Sequence, residues 1–468
     1  MIAATESAGL AAATIMRRCD LLADVSSLDS GIRRVYLSPE HARVNALAAG
    51  WMREVGMTTW QDAAGNQRGS IAGSSPDAPT LILASHLDTV PDAGRYDGIV
   101  GVLMAIEAVA RLRDALPTYP FGIEVIAFSD EEGTRFGKAL MGSSAVAGLW
   151  DSAWWELIDE HGTTLRQAFH DFGLDPTAIG SAAHTSDELV GYLEAHIEQG
   201  PYLELADQAL GVVTSIASAR RFQVEVVGEA RHAGGTPYEF RRDALLGAAE
   251  AVLAVERICR AEQHVGTAGQ FAVAPGAVNI IPGLARFSLD LRGEFDEGRD
   301  RVWELIEAAL DEIMQRRGLT WRVVEIHRAP AVFCAPHLMD ALRGGIRSTG
   351  EEEPLELFSK AGHDAMSLGA ITDVAMLFLR NPGGISHHPD ESVSQADVAL
   401  GLDALVAAVR TLAGDTTPVG PATPSAPART EDVADAEIGD PNAVDDEPAG
   451  GTDDAAPDET AADVPISS

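Results

Sequence analysis

An α/β fold is predicted: a mixed, mostly parallel sheet with helices on both faces, carrying an inserted ferredoxin-like βαββαβ layer. Two rhythms predict it. From Thr80 short apolar, β-branched runs alternate with helical spacing, and from about Val212 to Arg328 strands alternate with two long helices. At 468 residues the chain also exceeds what one hydrophobic core usually serves, so two domains are expected.

In the first rhythm TLILASH, Thr80 to His86, is a short strand followed by a Gly/Pro/Asp-rich loop. GIVGVLMAIEAVARLRDA then has the apolar spacing of a helix, and IEVIAFS is the next buried strand. Sheets built this way gather chemistry beyond the carboxyl ends of their strands, where SHLDTV and SDEEGTRF stand. In the second rhythm FQVEVVGE is a strand and RRDALLGAAEAVLAVERICRA a helix. GQFAVA and ARFSLDLRG are two strands joined by PGAVNIIPG, DRVWELIEAALDEIMQRRG is a helix and LTWRVVEI the last strand. Residues 330–413 return to strand DVAMLFLR and a final helix, so the second layer interrupts the first. The expected division is residues 1–211 with 329–413, residues 212–328 inserted between them, and a disordered acidic tail at 414–468.

That tail holds 14 acidic residues against one arginine, eight of the 24 prolines and no aromatic residue, too little apolar surface to offset the entropy of ordering. It accounts for 13 of the 37 excess negative charges and leaves −24 on residues 1–413. So acidic a surface repels phosphate backbones, which excludes nucleic-acid binding. No apolar run approaches ~18 residues, so no membrane span is expected. The N-terminus lacks a basic region ahead of its apolar stretch, which argues against a signal peptide. Cys19, Cys259 and Cys334 are far apart and odd in number, as suits reduced thiols in a cytoplasmic protein.

Five residues stand where metal ligands would: His86, Asp97, Glu132, His196 and His387. Borderline divalent ions take N and O donors, and a shared carboxylate holds two of them about 3.5–4 Å apart in hydrolytic sites. Taken singly, each residue is more often a solvated or hydrogen-bonded side chain. On strand ends of one sheet they read together as a site.

The motifs SHLDTV, GRYDGIVGV with Asp97 eleven residues after His86, DEEGTRFG, HIEQGPYLE, GEARHAGGTPYEFRRDAL, PGAVNIIPG, AGHDAM and GGISHHP occur in that order. In this the chain resembles the amidase and carbamoylase branch of the M20 metallopeptidase family. That branch includes N-carbamoyl-L-amino-acid hydrolases, allantoate amidohydrolases and β-ureidopropionases. The resemblance spans roughly Arg33 to Leu412. It implies His86 and His196 on one divalent ion, Glu132 and His387 on a second, and Asp97 bridging them. Zinc or manganese is implied first, while nickel or cobalt also suits mixed N/O donors. GGISHHP offers two histidines; the resemblance selects His387 and puts His388 where relatives often carry Asn. Asp88, two residues after His86, is expected to orient that imidazole and fix its tautomer. Glu131 is expected as general base, taking a proton from the attacking water and returning it to the leaving amine. Gly133 supplies a turn that lets adjacent Glu131 and Glu132 take different tasks, since successive strand residues face opposite ways.

The resemblance further assigns Arg292 and Asn279 to a substrate carboxylate, Gln199 to the vicinity of the reacting group, and Gly362 and His363 to a turn of the substrate pocket, though His363 equally suits a place behind the metal ligands. In ARFSLDLRG the alternation puts Arg292 on the polar face of its strand. There a guanidinium binds a carboxylate bidentately, or simply pairs with Asp290. His232 in RHAGGTP matches the family histidine that stabilises the developing oxyanion. In relatives it comes from the neighbouring subunit, so a homodimer built through the inserted lid and dimerisation domain is implied, with residues 1–211 and 329–413 as the catalytic domain. Two departures bear on the substrate. Gly235 and Tyr238 make HAGGTPY where HAGTTPM is usual, and Lys360, one of only two lysines, precedes AGHDA where SG is common.

The sequence therefore reads as a cytoplasmic, metal-dependent amidohydrolase. It would cleave the carbamoyl C–N bond of small ureido acids, N-carbamoyl-L-amino acids or allantoate, releasing ammonia and carbon dioxide. A dipeptidase or N-acyl-amino-acid hydrolase of the same fold is the nearer alternative. A catalytically silent binding protein is the alternative of another class, disfavoured because every expected ligand and Glu131 are present.

Overall fold

The computed structural model describes residues 2–415. Apart from Gly414 and Asp415, the acidic segment expected to be disordered lies outside the described residues. The described residues belong to one compact unit, built from two principal sheets with separate apolar cores.

The large sheet has nine strands, with helices on both faces. Its centre is four parallel neighbours, Gly122–Phe128, Thr80–His86, Leu189–Ile197 and Val374–Leu379. Every residue of Gly122–Phe128 and of Val374–Leu379 is buried. That is why these strands read as apolar runs, broken only by Glu124 in the first, since both faces of a parallel sheet are covered. Antiparallel strands flank the centre: Gln67–Ile71 and Thr58–Gln61 on one side, Leu210–Ile216 and Val332–Phe333 on the other. Helix Ile99–Leu112 lies against three of the central strands, with Gln395–Leu412 and Ile2–Ala23 beside it.

The small sheet runs Phe271–Ala274, Leu284–Gly293, Ser218–Val227, Thr320–Ala329, all neighbours antiparallel. Numbered along the chain this is 2-3-1-4, the split βαβ order expected from the sequence. Helices Ala244–Ala261 and Asp296–Arg317 pack on one face. Phe287, Leu289 and Leu291 are buried beneath them, each contributing roughly 1.5–3 kcal/mol. Ser288, Asp290 and Arg292 alternate onto the open face.

Three details differ from expectation. Leu210–Ile216 belongs to the large sheet, so the chain crosses between sheets at Ala217 and not at Val212. The edge of the small sheet comes in two pieces, Val265–Thr267 and Phe271–Ala274. The returning segment also contains helix Pro336–Ser348 and strand Leu355–Ser359. The Gly344-Gly345 pair lowers helix propensity, yet a Cβ on Gly345 would collide with the carbonyl of Ala404, so close helix packing requires it. Among the described residues no helix is long and apolar enough to cross a membrane.

Candidate metal centre

Three adjacent strands bring their carboxyl ends together. His86 ends Thr80–His86, His196 lies next to the end of Leu189–Ile197, and Glu131 and Glu132 follow Gly122–Phe128. Asp97 precedes helix Ile99–Leu112, and His387 lies in the loop before Gln395–Leu412. Asp97 is the hub. His196 Nε2 is 3.2 Å from its Oδ1 and His387 Nε2 is 3.1 Å from its Oδ2. His387 Nε2 also lies 3.3 Å from Glu132 Oε1, and the rings of His86 and His196 are 5.7 Å apart. Two groups of three donors result, His86–Asp97–His196 and Asp97–Glu132–His387, each with its ligand atoms within 4.8 Å of one another. Asp97 belongs to both.

These groups fit divalent cations. His196 Nδ1 donates to the carbonyl of Ile197 at 2.8 Å, while its buried Nε2 makes no hydrogen bond. A ring nitrogen whose partner already donates presents a lone pair to the Asp97 carboxylate, an acceptor facing an acceptor that a cation resolves. His86 is arranged likewise, its Nδ1 donating to the carbonyl of Asp88 at 3.1 Å. The charges in the cluster are strongly coupled. Burial would raise Asp97, but the imidazoles of His196 and His387 beside it hold it well below the usual carboxylate range. Burial lowers His196, yet the Asp97 carboxylate 3.2 Å from its Nε2 outweighs this and leaves it raised. The same bonds to Asp97 and then Glu132 push His387 up to about 10.

The Asp88 carboxylate has a different task from the one expected. It accepts the backbone N–H of Glu131 on Oδ1 at 3.0 Å and that of Glu132 on Oδ2 at 3.1 Å, whereas its Oδ1 is 3.6 Å from His86 Nδ1. The carbonyl of Asp88 orients the imidazole, and the carboxylate shapes the acidic turn. Gly133 completes that turn at φ 64°, where a Cβ would collide with Ala139. Glu131 is partly buried, and burial, opposed by His86 and reinforced by Glu132, holds its carboxyl well above the usual range.

The other expected residues are distributed around this hub. Gln199, at φ 56°, donates through Nε2 to Asp97 Oδ1 at 3.1 Å and Oδ2 at 3.0 Å, so it rests on the donors themselves. Gly362 is exposed, and a Cβ there would stand 3.9 Å from Glu131 Oε1. His363 is buried, bonded to Ser359 Oγ at 2.7 Å with its ring 4.6 Å from that of His196, so it backs the centre instead of opening to a pocket. Arg292 lies on the open face of its strand and pairs with Asp290. It clasps Asp290 at 2.9 and 3.1 Å, and its third bond crosses to the carbonyl of Lys360 at 2.7 Å. His232 and Asn279 meet on the exposed ribbon Arg231–His232 with Ile280–Ile281, where Ala233 N–H donates to the Asn279 carbonyl at 2.9 Å. None of the hydrogen bonds of these two residues reaches the Asp97 cluster. His388 is exposed and accepts from the Asp390 N–H at 3.1 Å, so His387 alone of the pair touches Asp97.

Two buried acids were not anticipated. Glu391 accepts the N–H groups of Tyr96 and Asp97 at 2.9 and 3.1 Å and a hydrogen bond from Ser386 Oγ at 3.0 Å, fastening the Asp97 loop to the His387 loop. Its signal in the sequence is only a carboxylate four residues past His387. Glu194, an acid inside the apolar run YLEAHI, accepts from Ser85 Oγ at 2.9 Å and Tyr192 OH at 2.8 Å.

Residues 82–411, which include all five donors, match the profile of Peptidase family M20/M25/M40. The chain is 37% identical to an N-carbamoyl-L-amino-acid amidohydrolase of Pseudomonas sp. (strain NS671), over 81% of this chain and 92% of that protein. It is also 37% identical to an allantoate deiminase of Arabidopsis thaliana, over 81% of this chain and 79% of that one. The crystal structure of a hydantoinase/carbamoylase family amidase from Burkholderia ambifaria superposes with a TM-score of 0.78 at 31% identity, covering 87% of this chain and 98% of its own.

Proposed function

The chain belongs to Peptidase family M20/M25/M40, a metal-dependent family, and from that premise we propose that it is an amidohydrolase of linear amides. Its substrates are ureido acids, N-carbamoyl-L-amino acids or allantoate, whose carbamoyl C–N bond it cleaves with release of ammonia and carbon dioxide. The observation that carries this reading is the pair of donor groups sharing Asp97, with Glu131 beside Glu132.

His86, Asp97 and His196 would hold one divalent ion, and Asp97, Glu132 and His387 a second, zinc or manganese first and nickel or cobalt also suited. Such ions supply Lewis acidity toward the ureido carbonyl and acidify water. Glu131 takes the proton of the water that attacks the carbamoyl carbon and returns it to the departing nitrogen. Burial and the neighbouring Glu132 raise its carboxyl, which suits a group that accepts a proton and returns it. Gln199 positions the reacting group over Asp97. Arg292 and Asn279 anchor the substrate carboxylate, and the Gly362 turn lies beside the base. His232 donates to the developing oxyanion of a partner copy. Supporting that role, its ribbon is exposed, and Tyr238, Leu253, Phe271 and Val278 of the same stretch of chain are exposed apolar side chains. In this reading the small sheet and its helices form the lid and dimer surface.

Glu131→Gln tests the chemistry. Ammonia release from allantoate and a panel of N-carbamoyl-L-amino acids should fall by about 100-fold or more while bound metal, measured by plasma emission, stays at the wild-type level. Full activity would remove Glu131 from the mechanism. Mixing that variant with His232→Ala should restore activity, because one site of the heterodimer is intact. N-acetyl amino acids and dipeptides belong in the same panel, since preference for them would make the protein a peptidase of the same fold.

A further inference from the structure

We propose that Lys360 determines specificity: its ammonium receives a second anionic group of the substrate, so the preferred ureido acids carry a carboxylate on the side chain as well as at Cα. This rests on the ureido-hydrolase reading above and narrows it.

Carboxylates outnumber cationic side chains by 71 to 34 in this chain, and only two of the cations are lysines, Lys138 and Lys360. Acids are abundant, yet among the described residues neither ammonium has a carboxylate within 4.0 Å. Each rests instead on aromatic faces. Lys138 Nζ lies 5.0 Å from the Trp154 ring, and Lys360 Nζ lies 4.2 Å from Tyr202 and 5.6 Å from Phe358. Lys360 also donates to the Tyr202 hydroxyl. Glu198 is raised by burial, with its backbone hydrogen bonds and then Lys360 opposing. It has committed both oxygens to the N–H groups of Tyr202 at 2.7 Å and Leu203 at 2.8 Å. A cation held on aromatic rings keeps its charge and gives up little when an anion arrives.

Its position is as telling as its lack of a partner. Lys360 lies two residues before Gly362, which faces Glu131. Tyr202 lies three residues after Gln199, which donates to Asp97. Their contact therefore spans the two loops that border the reacting group. The carbonyl of Lys360 accepts from Arg292 at 2.7 Å, so the guanidinium is tied to the loop that carries the ammonium. Asp290, the acid facing them, is already shared by Arg221 at 2.9 Å and Arg292. Two arginines thus share one carboxylate there. His327, facing the same cluster, is lowered by burial and then by Arg221 and Lys138, with Asp290 opposing. Two linked cations beside one neutralised acid match a dianion better than a monoanion.

The test compares kcat/KM for N-carbamoyl-L-aspartate with N-carbamoyl-L-asparagine, and for the glutamate derivative with the glutamine derivative. Within each pair only the charge differs. Wild-type protein should prefer the acid in at least one pair by about tenfold or more. Lys360→Met should bring that ratio close to one, through KM for the acid, and Lys360→Arg should keep most of it. A wild-type ratio at or below one in both pairs, or a ratio unchanged in Lys360→Met, overturns the proposal. Turnover of the neutral derivatives without acid preference refutes Lys360 alone, whereas no turnover of any ureido compound refutes the underlying reading as well.

Discussion

His387 couples the centre to pH more visibly than any other single residue. Hydrogen bonds with Asp97 and Glu132 push its pKa up to about 10, from an ordinary value of about 6.5. A raised pKa in the folded chain means that the protonated imidazole stabilises chelator-treated protein. That contribution is complete below pH about 6.5 and is lost as the pH rises through about 10. His387 is half-exposed, so solvent screening keeps it modest. Cation binding runs the other way, because a ligating imidazole must shed its proton. Chelator-treated protein should therefore show a Tm that falls across this window, with a smaller slope in His387→Ala. Adding manganese or zinc near neutral pH should release protons, read by calorimetry as a binding enthalpy that depends on the buffer. A buffer-independent enthalpy would contradict the assignment. The five residues were legible because each sits in a motif, His86, Glu132 and His196 by strand ends, Asp97 by a helix start and His387 in GGISHHP. Gln199 on Asp97 and Glu391 under Asp97 were not, since one depends on a left-handed backbone and the other on a contact 294 positions apart.

At the scale of elements, Asp88 ties the end of Thr80–His86 to the turn after Gly122–Phe128 through two N–H groups. Asp88→Asn would leave one of those N–H groups facing an amide NH2, a buried donor against a donor. The turn carries Glu131 and Glu132, so kcat/KM or metal affinity should drop about 10–100-fold and stability by about 1–3 kcal/mol. Kinetics and denaturant unfolding check both, and wild-type values would show that the turn holds itself. Period-two alternation in ARFSLDLRG was enough to place Arg292 on the open face, and the buried parallel strands were legible as apolar runs. Helix Pro336–Ser348 was not, because its glycine pair argues locally against a helix and only the packing of Ala404 on Gly345 explains it.

For the whole molecule, the two layers were legible in the sequence, and the place where the chain crosses between them was not. The crossing at Ala217 follows from strand pairing with residues more than a hundred positions away, which local periodicity does not reveal. The net charge of −37 divides between body and tail, and removing the tail should leave catalysis untouched. Tyr119 OH is bonded to Asp415 at 2.8 Å, so the cut belongs after Asp415. A chain ending there should match the full protein in kcat/KM and metal content, and a loss of either would give the tail a part in the site. Asp97, meanwhile, is met by His387 and fastened by Glu391, both from the far end of the chain. During synthesis the half-site of His86, Asp97 and His196 leaves the ribosome long before the residues that finish its neighbour exist. A nascent chain, or one truncated before His387, thus carries one set of donors without the other. The order of translation itself withholds the paired centre until the fold is whole.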